Sequence, residues 1–188
     1  LKSHGGANET FLSRVLKVSG ISESTLAEEI SDLLNNKNPT IAPYAATGEV
    51  KLRLTAKAKT SEDALKLLEP LESQIRKRIG SKCYGVNQES LASVVVELLK
   101  QRGETLSVAE SCTGGGLGAA ITSIPGASSV FMGGVIAYSN SIKQNLLDIP
   151  ELLINKHGAV SDEVVQAMAQ GVRKKLGSDW AIAISGLA

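Results

Sequence analysis

From Leu106 to Ala109 the chain is apolar, then it runs through Glu110, Ser111, Cys112 and Thr113 into three consecutive glycines, Gly114 to Gly116. Past them, Leu117, Ala119, Ala120 and Ile121 fall where the buried face of a helix would place them. The pattern predicts a strand that ends in a tight turn and restarts as a helix. Such a turn presents backbone N–H groups that have no intrahelical partner, and glycine lets a ligand come close to them. A hydroxyl and a thiol then stand beside donors suited to an anion or an oxyanion. An unliganded strand-to-helix turn with Thr113 as N-cap fits the same residues.

The rest of the second half repeats this strand-and-helix rhythm. Phe131 to Tyr138 is an apolar run, after which Ser139 or Asn140 caps a helix bearing Ile142, Leu146 and Leu147. Pro150 starts a short helix that ends at His157-Gly158, and Ser161 opens another that carries Val164, Val165, Met168 and Val172. Trp180 to Ile184 is a third apolar strand, stopping at Ser185-Gly186. Upstream, Asn87 or Ser90 caps a helix whose apolar residues are Leu91, Val94, Val95, Leu98 and Leu99.

The first half reads differently. Leu1 to about Glu9 is a Gly-rich polar linker. Phe11 to Val18 is a strand, and Ser22 caps a helix with Leu26, Ile30, Leu33 and Leu34 on one face. In Glu49 to Ala58, Val50, Leu52, Leu54 and Ala56 alternate with polar residues, as in a half-buried strand. Ser61-Glu62-Asp63 opens a second helix, and Cys83-Tyr84 closes a short strand. This β-α-β-α-β order predicts a small α+β, KH-like domain with helices on one face of a mostly antiparallel sheet. Gly85 to Glu89 is the boundary, so the chain divides into a KH-like α+β domain with its linker at 1–85 and an α/β layered-sheet domain at 86–188.

If the three apolar strands of the second domain are parallel, their C-terminal ends share the sheet edge where open α/β folds bind ligands. That edge gathers Ser111, Cys112, Thr113, Tyr138, Asn140, Ser185 and Gly186, and Lys143 joins them from the first turns of its helix. Serine needs a base to become a nucleophile, and a lysine serves if desolvation keeps it neutral. Tyr138 would relay the proton or hold the lysine. A solvated Lys143 with a packed Tyr138 fits the spacing equally well. His157, the one histidine outside the linker, ranks below Lys143 because it sits at a helix end where it complements the dipole.

Composition removes other classes. Lysine plus arginine (20) balance aspartate plus glutamate (19), and aromatic residues make up 3% of the chain. Nothing therefore points to nucleic acid or an anionic membrane surface, and the GxxG clamp of RNA-binding KH domains is missing. Leu117 to Tyr138 is too broken by polar residues and Pro125 to span a bilayer. Two cysteines and two histidines make no metal pattern, and Gly114 to Gly118 gives neither GxGxxG nor a P-loop. A reduced, cytoplasmic setting is expected.

Four ordered motifs carry a family resemblance: Ala109-Glu110-Ser111-Cys112-Thr113-Gly114-Gly115, Tyr138-Ser139-Asn140 with Lys143, His157-Gly158-Ala159-Val160-Ser161, and Ile184-Ser185-Gly186. They resemble the C-terminal domain of the competence/damage-inducible CinA family. Asn38-Pro39-Thr40-Ile41-Ala42-Pro43-Tyr44 and Gly48-Glu49-Val50 are similar to its KH-like middle domain. The resemblance implies an amidohydrolase of pyridine-nucleotide salvage that converts nicotinamide mononucleotide to nicotinate mononucleotide and ammonia. It implies Ser111 as nucleophile with Tyr138 and Lys143 activating it. Cys112, Thr113, Gly114, Gly115, Asn140, Ser185 and Gly186 would contact substrate. No metal or organic cofactor is implied.

The family also has an N-terminal domain similar to molybdopterin-binding proteins, and it continues past the position of Ala188 with further strands and an arginine near the phosphate. The α/β domain is thus expected to be incomplete at its C-terminus, with one face and the edge of the Trp180–Ile184 strand open. A homo-oligomer is expected. The rival from another class is a non-catalytic nucleotide-binding or assembly module, from which ammonia release would distinguish an enzyme.

Overall fold

The computed structural model describes residues 9–46 and 48–187. The expected linker at 1–8 and the chain end at 188 lie outside the described residues. The chain forms two compact units, Leu1–Leu91 and Ala92–Ala188.

The first unit is a four-stranded antiparallel sheet in the order β2-β3-β1-β4. Its strands are β1 (Thr10–Val18), β2 (Thr40–Ala46), β3 (Glu49–Ala58) and β4 (Cys83–Val86), and its helices α1 (Glu23–Glu29), α2 (Ser31–Leu34) and α3 (Ser61–Ile79). The alternation in β3 buries Val50, Leu52, Leu54 and Ala56. They pack with Leu16, Val18, Leu26 and Ile30 and with the inward row of α3: Ala64, Leu68, Leu71, Ile75 and Ile79.

Two expectations about this unit need correcting. The helix expected after Ser22 is two short helices separated at Ile30, whose backbone leaves helical geometry (φ −119°, ψ 18°). The strand β2 was not anticipated, so the order is β-α-α-β-β-α-β rather than β-α-β-α-β. It hides from a pattern search because only Ile41 in it is buried and it contains Pro43. Proline cannot donate to a ladder and so is confined to strands such as this one, at the rim of a sheet.

The second unit carries a three-stranded parallel sheet, order β6-β5-β7, made of β5 (Leu106–Glu110), β6 (Phe131–Ile136) and β7 (Trp180–Ile184). The anticipated strands are therefore all present and parallel. Helices α4 (Leu91–Arg102), α5 (Gly116–Thr122), α6 (Asn140–Leu147), α7 (Glu151–His157) and α8 (Asp162–Leu176) accompany them. The central strand β5 is buried at every residue. Leu106 and Val108 pack on one face with Val96, Leu99, Ile121 and Val130, and Ala109 on the other with Leu147, Val164, Met168 and Val172. Of the apolar residues expected to form the inner face of α4, Leu99 is buried and Leu91 and Leu98 are half-exposed, while Val96, which was not anticipated, is buried as well. Leu98 overlooks the rim strand β7, where Trp180 is 52% and Ile182 41% exposed. An apolar groove of about 240 Å³ runs between them. No helix among the described residues is long and apolar enough to cross a membrane.

The helix that carries Lys143 is held by a close approach of backbone. A Cβ on Gly171 of α8 would lie 2.3 Å from the carbonyl oxygen of Leu147, the last residue of α6. Backbone cannot yield as a flexible side chain would, so α6 and α8 meet at a distance only glycine permits. Replacing Gly171→Ala should therefore lower the unfolding free energy by about 1–3 kcal/mol, read from urea denaturation. Unchanged stability would place the two helices further apart.

Candidate active site

The loop between β6 and α6 aims a lysine at the end of the central strand. Ser139 caps α6, its hydroxyl accepting from the Ile142 N–H at 3.3 Å. The helix then starts beside the end of β6, and Lys143 in its first turns points inward. Its side chain is 1% exposed. Nζ lies 2.8 Å from the carbonyl oxygen of Ala137, 3.2 Å from that of Tyr138 and 3.2 Å from Ser111 Oγ. Ser111 is itself buried, and its own N–H donates to the Ile184 carbonyl at 2.9 Å. None of the described ion pairs includes Lys143. Burial pushes its pKa below the usual lysine value, with the Cys112 thiol acting weakly in the other direction.

This geometry suits a neutral amine. A neutral lysine has two N–H groups and one lone pair. The two carbonyls can take the N–H groups, which leaves the lone pair for the Ser111 hydroxyl proton.

Ser111, Cys112, Tyr138, Asn140, Lys143, Ser185 and Gly186 line one cavity of about 260 Å³, closed further by Ala159, Val160 and Leu187. Tyr138 is 67% exposed, and it is its main-chain carbonyl that meets Lys143. The Ser185 hydroxyl donates to the Ala159 carbonyl at 3.0 Å, tying the end of β7 to the loop before α8. A Cβ on Gly186 would sit 3.0 Å from Cys112 Sγ, so glycine leaves room for the thiol.

Thr113, Gly114 and Gly115 do not line this cavity. The N-cap of α5 is Gly115, at a φ of +104° that favours glycine, rather than Thr113. The donors that the sequence offered to an anion are largely occupied from within. Glu110, 1% exposed, accepts from Thr113 Oγ1 (2.6 Å), from the N–H groups of Gly115 (3.2 Å) and Leu117 (2.9 Å), and from that of Gly118 (2.8 Å). Burial alone would raise its pKa, but the Thr113 hydroxyl and the three amides hold it below the usual glutamate value. The Gly114 and Gly116 amides donate to the Ser111 and Thr113 carbonyls. Among the described residues the amides of Cys112 and Thr113 have no protein acceptor. Sequence reasoning passed over Glu110. Its signal was a lone carboxylate at the end of an otherwise apolar strand, directly before glycines.

His157 Nδ1 stands 3.0 Å from Glu163 Oε1 and does not line the cavity. Among the described residues no three His, Cys, Asp or Glu side chains come together to hold a metal ion.

Comparison with known proteins agrees with this division of the chain. Residues 88–188 match the CinA C-terminal domain, and residues 13–85 match the Damage-inducible protein CinA KH domain. A CinA-like protein of Parasynechococcus marenigrum (strain WH8102) is 61% identical over 188 residues, which is 100% of this chain and 45% of that protein. One from Prochlorococcus marinus (strain MIT 9313) is also 61% identical, over 100% of this chain and 44% of its own length. The chain thus spans less than half the length of these curated relatives. Among solved structures, the competence damage-inducible protein A (ComA) of Klebsiella pneumoniae subsp. pneumoniae MGH 78578 superposes with a TM-score of 0.50 at 38% identity, over 51% of this chain and 60% of that one. With both of its units matched and its four motifs gathered at one sheet edge, the chain belongs to the CinA family.

Proposed function

We propose that the second unit is the catalytic part of an amidohydrolase that converts nicotinamide mononucleotide to nicotinate mononucleotide and ammonia, with Ser111 as nucleophile and Lys143 as its base. The observation that carries this reading is the Lys143 amine. It is buried, has no carboxylate partner among the described residues, is fixed by two carbonyls and faces Ser111 Oγ at 3.2 Å. A solvated lysine would instead run its stem along the surface and hold its amine in water. The choice of substrate rests on the family resemblance.

In this reading neutral Lys143 takes the Ser111 proton as Oγ attacks the carboxamide carbon. The negative charge moves to the carbonyl oxygen. The amide of Cys112, which lines the cavity and has no protein acceptor among the described residues, is the donor of the turn left to receive it. The protonated lysine then gives its proton to the departing nitrogen, which leaves as ammonia. A water molecule, deprotonated by the same amine, attacks the Ser111 ester, and the acid leaves as Ser111 regains its proton. One water is consumed and one ammonia released. Tyr138, two-thirds exposed where it lines the cavity, would meet substrate as it enters.

The first unit is proposed as a spacer that does not bind nucleic acid. Three cations on its open sheet face are engaged locally: Lys51 with Glu49, Lys57 with Glu9 and the Phe11 ring, and Arg53 over the Tyr44 ring.

Ser111→Ala should abolish most ammonia release in a coupled assay with nicotinamide mononucleotide, while Cys112→Ala should keep much of it. The opposite pattern would move the nucleophile to the thiol. Lys143→Met should lower kcat by ~10²–10⁴-fold. Because the neutral amine is the base, wild-type kcat/KM should rise with pH through the lowered Lys143 pKa and then level off. Stability follows the same sign: the unfolded chain binds the proton more readily than the folded one. Wild type should therefore gain stability relative to Lys143→Met as pH climbs from the folded pKa toward ~10.4. A rate that falls over this range would exclude a neutral lysine base. Titrating labelled single-stranded RNA at low salt should give no binding, and a tight complex with a steep salt dependence would overturn the spacer reading.

A further inference from the structure

Glu110 precedes the nucleophile directly yet faces away from it. Successive residues of a strand point to opposite sides, and here Ser111 lines the cavity with Lys143 while Glu110 borders a separate hollow with Val108, Gly118, Phe131 and Gly134. From that far side its carboxylate collects the Thr113 hydroxyl and the amides of Gly115, Leu117 and Gly118. The turn that carries Ser111 is thus clamped at both ends: Ser111 N–H to β7 on one flank, Glu110 to the start of α5 on the other. We propose that Glu110 is a positioning residue for the nucleophile. It locks the 111–118 turn from behind, so that Ser111 Oγ stays on Lys143 and the Cys112 and Thr113 amides stay unengaged. This rests on the reading of Ser111 as the nucleophile.

The carboxylate has a function here that no isostere can fill. Its Oε2 accepts from three donors and Oε1 from one. In Glu110→Gln one of these oxygens becomes an NH₂ group that must face an N–H or O–H donor, whichever way the amide is turned. The turn then has to shift, and displacements of about 1 Å at a reacting group can lower the rate ~10²-fold. The backbone groups around the carboxylate are donors, and Glu110 is not among the groups that act on the Lys143 amine, so its role is to hold the turn rather than to tune the base.

The test compares wild type, Glu110→Gln and Thr113→Val in the protein by ammonia release across pH and by the rate at which a fluorophosphonate probe labels Ser111. Glu110→Gln should lose kcat about 10²-fold with KM within about threefold. The midpoint of its pH profile should not move, and Ser111 labelling should slow in proportion. A variant whose melting temperature falls while its kcat per folded molecule is unchanged would reduce Glu110 to a helix cap and overturn the proposal. A shifted pH midpoint would overturn it too, by making Glu110 an electrostatic partner of Lys143. If Glu110→Gln does not fold, Thr113→Val decides, since it removes one bond to the carboxylate and leaves the charge. A roughly tenfold loss of labelling rate is expected, and an unchanged rate refutes the idea. Wild type that labels rapidly at Ser111 but releases no ammonia would fail the substrate assignment alone, and slower labelling of Glu110→Gln would still support the positioning role.

Discussion

An amine withdrawn from water without a counter-charge is the constraint around which the second unit is arranged. Burying an ammonium is expensive, and unless a partner is supplied the group sheds its proton. Lys143 meets two carbonyl oxygens and a hydroxyl, partners a neutral amine can satisfy in full. Holding it there needs the end of β6 to offer the Ala137 and Tyr138 carbonyls, the Ser139 cap to start α6 at the right place, and α8 to support α6 from behind. The close meeting at Gly171 belongs to the same chain of support.

The sheet gives this arrangement its floor. β5 is hydrogen-bonded on both sides and covered on both faces, so the residue that follows it starts from the best-fixed point of the unit. Two sets of interactions then take the turn in opposite directions. Glu110 draws the glycine segment back onto the start of α5, and Ser111 is directed to the lysine. The two adjacent side chains line hollows on opposite sides of the turn.

Much of this was legible in the residues. The apolar runs of β5, β6 and β7, the Ser139 and Ser161 caps and the gathering of Ser111, Cys112, Tyr138, Asn140, Lys143, Ser185 and Gly186 follow from period, capping and the rule for strand ends. What escaped was decided by tertiary context. A rim strand such as β2 buries too little to leave an alternating pattern. Among the described residues the outer row of α4 is half-exposed, as are Trp180 and Ile182 of β7 beside it. Glu110 looked like any strand-end carboxylate, and only folding reveals that the donors it takes are those that the glycines seemed to reserve for a ligand.

The sheet order has a consequence for how such a protein can diversify. Ser111 follows the middle strand and Lys143 sits on a helix braced against α8, whereas Tyr138 and Ser185 follow the strands on either side. Loops after strands tolerate altered side chains far better than a strand paired and covered on both sides. The side chains of the cavity wall can therefore vary, provided the Ala137 and Tyr138 carbonyls that hold Lys143 and the Ile184 carbonyl that holds Ser111 keep their place. Ser111 is thus anchored by backbone that its neighbours supply, whereas the cavity wall is drawn from side chains free to differ.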